Sequence, residues 1–471
     1  MAVSRREVLV GAGAVVGAQA CATSGTTDST DPGPATIDTI IVVMMENRSF
    51  DHMLGSLKLV EGRAEVDGLT AEMANVDADG VTVAAYPNEV GCVSDPGHGW
   101  GSSHDQFNGG LNDGFVKDYG GPEVMGYQRR SDLPITYALA DEYALCDRYF
   151  CSVMGPTWPN RFYGHCGTSD GMTSNDWPPD GTYPLPNVWA ELTAAGVDHA
   201  YYFTDLPFLF LIRDAWDYHS AKYLEDFVAD AEAGRLPPVV WLDPGFAFND
   251  DHPPHHVAMG QEFLATVYKA LARSPQWNNC LLLITYDEHG GFFDHVPPPT
   301  TADDHAAEGF DQLGFRVPSI VVGPYVKQGV MTMQFDHTSW LKFVCERHGI
   351  TPWTARIEAA TSLAEVLDTD AMARRQPRPP IELPAFDFDD ASLGDECQGN
   401  GVVGPPGPTP RPPPVSTPPV PTPPSLPETW HGLMRAVYPE EERTGEWERL
   451  AAWIRAYARD EAPRTVFSRR R

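Results

Sequence analysis

Cys280-Leu281-Leu282-Leu283-Ile284-Thr285-Tyr286 runs without a break into Asp287-Glu288-His289-Gly290-Gly291. A short, continuously apolar run that stops at glycine is the pattern of a strand buried on both faces. Thr39–Met45 has the same form and leads directly into Glu46-Asn47-Arg48-Ser49-Phe50-Asp51-His52. Val239–Leu242 and Val317–Val322 are read as two further buried strands. Between Val239–Leu242 and Cys280–Tyr286 lies Met259–Arg273, where Met259, Phe263, Val267 and Leu271 recur every four residues, as on the buried face of a helix. A helix joining two such strands makes a βαβ unit, so the fold class is α/β with a largely parallel central sheet flanked by helices. The Gly- and Pro-rich stretches 95–125 and 152–188 are read as irregular loops outside the core, where a site is built on the rigid scaffold.

The 471 residues can bury a large core. With 33 basic against 65 acidic residues the formal charge is −32, which argues against a nucleic-acid partner and against general attraction to anionic membranes. It leaves a phosphate substrate open, because a bound metal ion reverses the local field of an acidic site. Eight cysteines are present and none forms a CxxC pair, so a zinc finger has no support. Cys280 reads as a small buried hydrophobe, and the pairing of the others is not legible from spacing.

Both ends carry segments outside the α/β pattern. Ser4-Arg5-Arg6-Glu7-Val8-Leu9, followed by a soft apolar run to Ala20, resembles a twin-arginine export signal over residues 1–21. Gly17-Ala18-Gln19-Ala20-Cys21 fits two readings, a lipobox that makes Cys21 a lipid anchor or a plain secretory cut after Ala20. The expected location is therefore periplasmic, secreted or lipid-anchored at the cell surface. Residues 22–37 read as a flexible tether, 38–400 as the catalytic domain and 401–427 as a proline-rich linker. In the segment 428–471, Trp447, Leu450, Ala451, Ile454 and Tyr457 share one helical face, with Thr444 as N-cap, and this helix is expected to pack back on the main domain.

The chemistry begins where two strands end alike. In a parallel sheet the carboxyl ends of strands face the ligand crevice, so acidic pairs at 46–47 and 287–288 would meet there. Carboxylate and amide oxygens crowded together suit a divalent cation. Met154-Gly155-Pro156-Thr157-Trp158-Pro159-Asn160-Arg161 places a hydroxyl at a tight turn before a helix, among free backbone N–H groups that favour a phosphate oxygen. Alone this is an N-cap threonine. As a nucleophile it needs activation, which a bound cation supplies. Arg161 or Arg48 either holds phosphate oxygens or pairs with a carboxylate. His98, His104, His252 and His337 lie in Gly/Pro-framed or Asp-His loops suited to contacting a phosphoryl oxygen or protonating a leaving alkoxide. Trp100, Trp158, Phe162 and Tyr163 either line a substrate pocket or are core.

Taken together, Glu46–His52, Gly155–Arg161 and Thr285–Pro298 resemble the phosphoesterase family of bacterial phospholipases C and related acid phosphatases. So do Asn108-Gly109-Gly110, Asn112–Phe115, Ser274–Trp277 and Asp336–Ser339, in order from about Asp38 to Ile350. The resemblance implies an alkaline-phosphatase-like α/β sandwich with one divalent metal ion, for which Ca²⁺, Mg²⁺, Mn²⁺ and Fe are all compatible. It implies Glu46, Asn47, Thr157, Asp287 and Glu288 as metal ligands, and Thr157 also as the nucleophile that forms a phospho-threonine intermediate. It gives catalytic roles to His98, His252 and His104, and substrate contacts to Asn160, Arg161 and His337. The expected activity is hydrolysis of phosphodiesters such as phospholipids, with a phosphomonoester-cleaving acid phosphatase as the alternative and no protein partner implied. A catalytically silent, surface-anchored binding protein would show a broken site, and all five ligand positions are intact. A sulfatase would carry a Cys/Ser-x-Pro-x-Arg motif, and none starts near Thr157.

Overall fold

The computed structural model describes residues 33–177, 182–215, 221–386 and 440–460. Eight strands form the main sheet: β1 (Thr39–Met45), β2 (Ala144–Cys146), β3 (His199–Phe203), β4 (Ala221–Tyr223), β5 (Val239–Asp243), β6 (Cys280–Tyr286), β7 (Ile320–Val322) and β8 (Gly329–Met331), in the order β8-β2-β7-β6-β1-β5-β3-β4. β1 pairs in parallel with both β5 and β6, and β5–β3, β3–β4 and β8–β2 are parallel too. Only β7 runs against its neighbours β6 and β2. The sheet is thus largely parallel, as expected. The expected strand at 317–322 is three residues long and reversed.

Every residue of β1, β5 and β6 is buried, so helices cover both faces. One face carries the helix Val257–Ala272, which lies at the place expected for 259–273 and buries Phe263, Val267 and Leu271. It packs against Pro134–Glu142, Leu224–Glu232 and the C-terminal helix Glu440–Ala458. The C-terminal helix does pack back: Arg455 pairs with Glu262 at 3.0 Å, and Leu450 and Ile454 are buried. It starts at Glu440, so Thr444 is an interior residue rather than its N-cap. The other face carries Thr157–Cys166 and Ser339–His348. Trp340 meets Trp241 of β5 at 5.6 Å between ring centroids. A Cβ on Gly164 would lie 3.2 Å from Met44 Cε and 3.3 Å from the Trp241 ring, so this glycine lets the helix lie close on the sheet.

That second helix corrects the sequence reading of 152–188 as loop outside the core. All ten residues of Thr157–Cys166 are buried, including Asn160, Arg161 and His165. A helix enclosed on every side has no polar stripe, so its period is invisible in the sequence. Trp158 and Phe162 are core here, and Tyr163 is buried with Val153 and Phe310. At the N-terminal edge Ala35 and Ile37 are buried, and the Ala35 amide donates to the Met372 carbonyl. The export signal, the Pro-rich linker and Cys21 lie outside the described residues. Cys146, Cys151, Cys166, Cys280 and Cys345 are free and buried, and Cys92 is disulfide-bonded.

The segment after β6 is held by a buried ion network. Arg316 donates to Asp294 at 2.9 Å and to Asp51 at 3.1 Å, while the His295 ring bridges Asp51 at 2.6 Å and Asp67 at 3.1 Å. Burial alone would pull the His295 pKa down, but Asp51 and Asp67 outweigh it and push it up to about 9. A raised histidine stabilises the fold fully below its unfolded value of about 6.5, and that contribution is lost as pH rises through the folded value. Stability should therefore fall by on the order of 2 kcal/mol between about pH 6.5 and 9. A denaturation series across this window should show the slope in the native protein and a flatter one in His295→Gln.

Candidate active site

The register of the sheet explains why the acids meet. Val43 pairs with Leu242, and Met45 pairs with Tyr286. One residue further on, Glu46 and Asp287 emerge side by side from β1 and β6. Since side chains alternate, Glu46, Asp243 and Asp287 fall on the face of Met44 and Trp241, where Thr157–Cys166 packs. The junction is tight. The Asn47 amide donates to Asp287 Oδ1 at 2.9 Å, and the Arg48 amide donates to the Glu288 carbonyl at 3.0 Å. Asn47 adopts a left-handed backbone with φ 59°, which turns its side chain out of the strand.

Across this junction lies Gly290, also left-handed at φ 64°. A Cβ there would sit 2.0 Å from the Asn47 carbonyl oxygen. Gly290→Ala should therefore destabilise the protein by about 2–4 kcal/mol, through strain and through displacement of Asn47. Thermal unfolding of the variant measures it.

Glu46, Asp287 and Glu288 are all fully buried, and burial raises the pKa of each. Asp287 raises Glu46 and Glu288 further by like-charge repulsion. Three buried oxygens at this point, Asn47 Oδ1, Asp287 Oδ2 and Glu288 Oε1, have no hydrogen-bond partner. Buried polar atoms are almost always satisfied, and an unpaired one costs about 1–3 kcal/mol. Three orphaned oxygens from two strand ends form a donor set of the kind a hard divalent cation takes. By donor chemistry these residues suit a metal ion, while the groups among the described residues whose ligand atoms all lie within 4.8 Å of one another are Asp95 with His98 and His252, and Asp51 with Asp294 and His295.

The helix that carries the nucleophile candidate is tied to this cluster through Arg161. Thr157 is the first residue of Thr157–Cys166 and is buried. Arg161, four residues on and so on the same helical face, binds Glu46 at 2.8 Å and Asp243 at 3.1 Å, and lies 3.8 Å from Asp287. The turn before the helix is fixed by Asn160, whose amide donates to the Gly155, Pro156 and Val153 carbonyls at 2.9, 3.2 and 3.2 Å and accepts from the Val153 amide. Asn160 and Arg161 were both expected to touch substrate. Their hydrogen bonds are instead spent inside the protein, so both are positioning residues.

The histidines separate into groups. His98 Nε2 comes within 3.2 Å of the Asn47 side-chain Nδ2 and 3.8 Å of Glu288, and its ring meets that of His252 at 5.9 Å. Each ring directs Nδ1 at a backbone carbonyl, that of Pro96 at 2.7 Å and of Pro253 at 2.5 Å respectively. Those partners require Nδ1–H on both rings. Burial pulls His252 down to about 4, so it is neutral near pH 7. Asp250 anchors this loop: its Oδ1 accepts from the His252 amide at 2.9 Å, and its carbonyl accepts from the Glu46 amide at 2.8 Å. His337 donates through Nε2 to the Tyr286 carbonyl at 2.9 Å, directly before Asp287, and burial pulls it down to about 4. His104 is apart. Its Nδ1 bonds the Trp100 carbonyl one turn back at 2.7 Å, its ring lies on Trp100, and no described contact joins it to the acids.

Sequence reasoning missed Asp243. The signal was available, because β5 ends in an acid just as β1 and β6 do. It missed Asp250 for a different reason: its role is set by backbone contacts across the fold.

A doubly covered, mostly parallel sheet thus carries an acid-and-amide cluster at its strand ends, tied through Arg161 to the helix that begins at Thr157. The chain belongs to the Phosphoesterase family, whose model matches residues 37–351. It is 35% identical over 358 residues to non-specific phospholipase C1 of Arabidopsis thaliana, covering 64% of this chain and 65% of that protein. It is 34% identical over 387 residues to phospholipase C A of Mycobacterium tuberculosis, covering 68% and 74%. The chain thus spans somewhat under two-thirds of the plant relative's length. Among solved structures it matches the lipoteichoic acid synthase LtaP from Listeria monocytogenes at 10% identity and a TM-score of 0.39, covering 70% of this chain and 77% of that one. A likeness at that level carries no inference.

Proposed function

We propose that this chain is an exported, cation-dependent phosphoesterase that hydrolyses phosphodiesters such as phospholipids through a phospho-threonine intermediate. The observation that carries the reading is the set of orphaned buried oxygens on Asn47, Asp287 and Glu288, whose strand ends are tied through Arg161 to the helix that begins at Thr157. The family and its phospholipase C relatives support the ester class. The Arg5-Arg6 motif supports export, and no helix among the described residues is long and apolar enough to cross a membrane.

When bound, a divalent cation would be held by Glu46, Asn47, Asp287 and Glu288 together with Thr157, and would supply Lewis-acid activation of the hydroxyl and neutralisation of phosphate charge. Thr157 Oγ1 attacks phosphorus and the alcohol leaves; water then releases the phosphoryl group from the threonine. His252, held neutral with Nδ1–H on a backbone carbonyl, presents its Nε2 lone pair, so in this reading it first accepts a proton at the site and then returns it to the leaving oxygen, with His98 beside it as a contact to the phosphoryl group. That order differs from a histidine that starts as an acid, and it follows from the burial that keeps His252 neutral and the Pro253 carbonyl that takes its Nδ1–H. His104 has no assigned step.

The test is turnover of nitrophenyl phosphocholine, nitrophenyl phosphate and phosphatidylcholine vesicles, before and after chelation. Diester and lipid cleavage lost on chelation supports the reading. Cleavage of the monoester alone replaces it with an acid phosphatase, and no turnover of any ester points to a silent binding protein.

A further inference from the structure

Arg161 occupies an unusual position for a guanidinium. It is fully buried in a helix interior, and every nitrogen has a partner on a different segment. Nε and Nη2 both reach Glu46 Oε1, at 2.9 and 2.8 Å, and Nη1 reaches Asp243 Oδ1 at 3.1 Å. Nη2 also donates to the Met44 carbonyl at 3.1 Å. The plane is enclosed by the rings of Phe246 and Phe208, with centroids 4.9 and 5.7 Å from the guanidinium carbon. Asp243 is itself held in place by the Trp241 indole N–H at 2.8 Å, the Tyr201 hydroxyl and the Phe208 amide.

We propose that Asp243 and Arg161 form a strut that fixes Glu46 and, through the same helix, keeps Thr157 in register with the acidic cluster. Both are positioning residues. The inference rests on the reading of Thr157 and the acids given above, and extends it to a residue pair that touches neither substrate nor cation. One end of the strut is rooted in β5, the middle is the first turns of Thr157–Cys166, and the far end is the carboxylate at the end of β1. With Oε1 accepting from Nε and paired with the charge on Nη2, Glu46 keeps Oε2 for another partner. A lysine at 161 would keep the charge and lose the fork. The strut's contribution is therefore separable from simple charge balance.

The experiment compares wild type, Arg161→Lys and Asp243→Asn in two readouts. The first is calorimetric titration of Mn²⁺ alone into chelated protein. The second is steady-state hydrolysis of nitrophenyl phosphocholine. In Arg161→Lys, Mn²⁺ affinity should fall roughly tenfold and kcat about a hundredfold, as expected when groups that orient metal ligands are removed. KM should stay within about threefold, because substrate binding is untouched. Asp243→Asn should move both in the same direction by about fivefold to tenfold, less than Arg161→Lys because Arg161 keeps its hold on Glu46. A merely structural role would lower the melting temperature and leave Mn²⁺ affinity and kcat of the folded fraction alone. That result, or wild-type behaviour of both variants, overturns the strut. Should Arg161→Lys not fold, Asp243→Asn decides. If wild type binds Mn²⁺ but cleaves no ester, the phosphoesterase reading fails and the calorimetry still judges the strut. If wild type binds no Mn²⁺, both fall.

Discussion

Thr157→Ala should abolish hydrolysis, lowering kcat/KM by about 10⁴-fold or more, which is at least roughly 5 kcal/mol of transition-state stabilisation. The expectation is large because a missing nucleophile cannot be replaced by better binding. The protein itself should survive. Alanine is a good residue at the first helical position, and the turn before the helix is held by Asn160 rather than by Thr157, so stability should change by less than about 1 kcal/mol. Thr157→Ser keeps the hydroxyl and should retain activity within about tenfold of wild type. Steady-state kinetics on the diester substrate, with thermal melts as control, measures all three. Full activity in Thr157→Ala would remove the threonine from the mechanism.

The second large effect has two signs. Asp287→Asn should lose nearly all activity, about 10³-fold or more by analogy with other losses of preorganised electrostatics. The same change should make the chelated protein more stable, by on the order of 1–3 kcal/mol. The reason is that Asp287 is buried beside Glu46 and Glu288, whose pKa values it raises. The asparagine keeps the oxygen that accepts from the Asn47 and Glu288 amides at 2.9 and 2.7 Å. Wild type should gain about 2.7 kcal/mol when a divalent cation is present at 100 times its dissociation constant. The variant should gain far less. Melting curves with and without Mn²⁺ resolve the two states. A variant less stable than wild type under chelation would mean that the carboxylates do not repel one another as their burial requires.

The parts of this fold that could be read in advance share one property, burial on both faces. β1 and β6 have the boundaries expected from their apolar runs, because a strand covered on both sides must be apolar throughout. The three-residue strands Ala144–Cys146 and Gly329–Met331 are too short to show any period. The reversal of β7 left no trace in composition. At the strand ends, the neighbourhood of Glu46 and Asp287 was legible because β1 and β6 run parallel, and the register brings those two positions side by side. The strut was not legible. Arg161 and Asp243 are 82 residues apart in sequence, and Arg161 and Glu46 are 115 apart. Whether an arginine after Pro-Asn faces substrate or carboxylate depends on which strand ends it meets. For the same reason Asn160 was read as a substrate contact when its amide closes a local turn. The tautomers of His98 and His252 depend on backbone carbonyls at Pro96 and Pro253, which no side-chain pattern reveals.

In the proposed mechanism two strand ends and one helix start share a single cation. Anomalous diffraction from crystals of the full chain grown with Mn²⁺ locates such an ion directly. The expected peak lies within coordination distance, about 2.0–2.6 Å, of Asn47 Oδ1, Asp287 Oδ2, Glu288 Oε1 and Thr157 Oγ1. A peak elsewhere, or a fully occupied ion that Thr157 does not touch, would contradict the account.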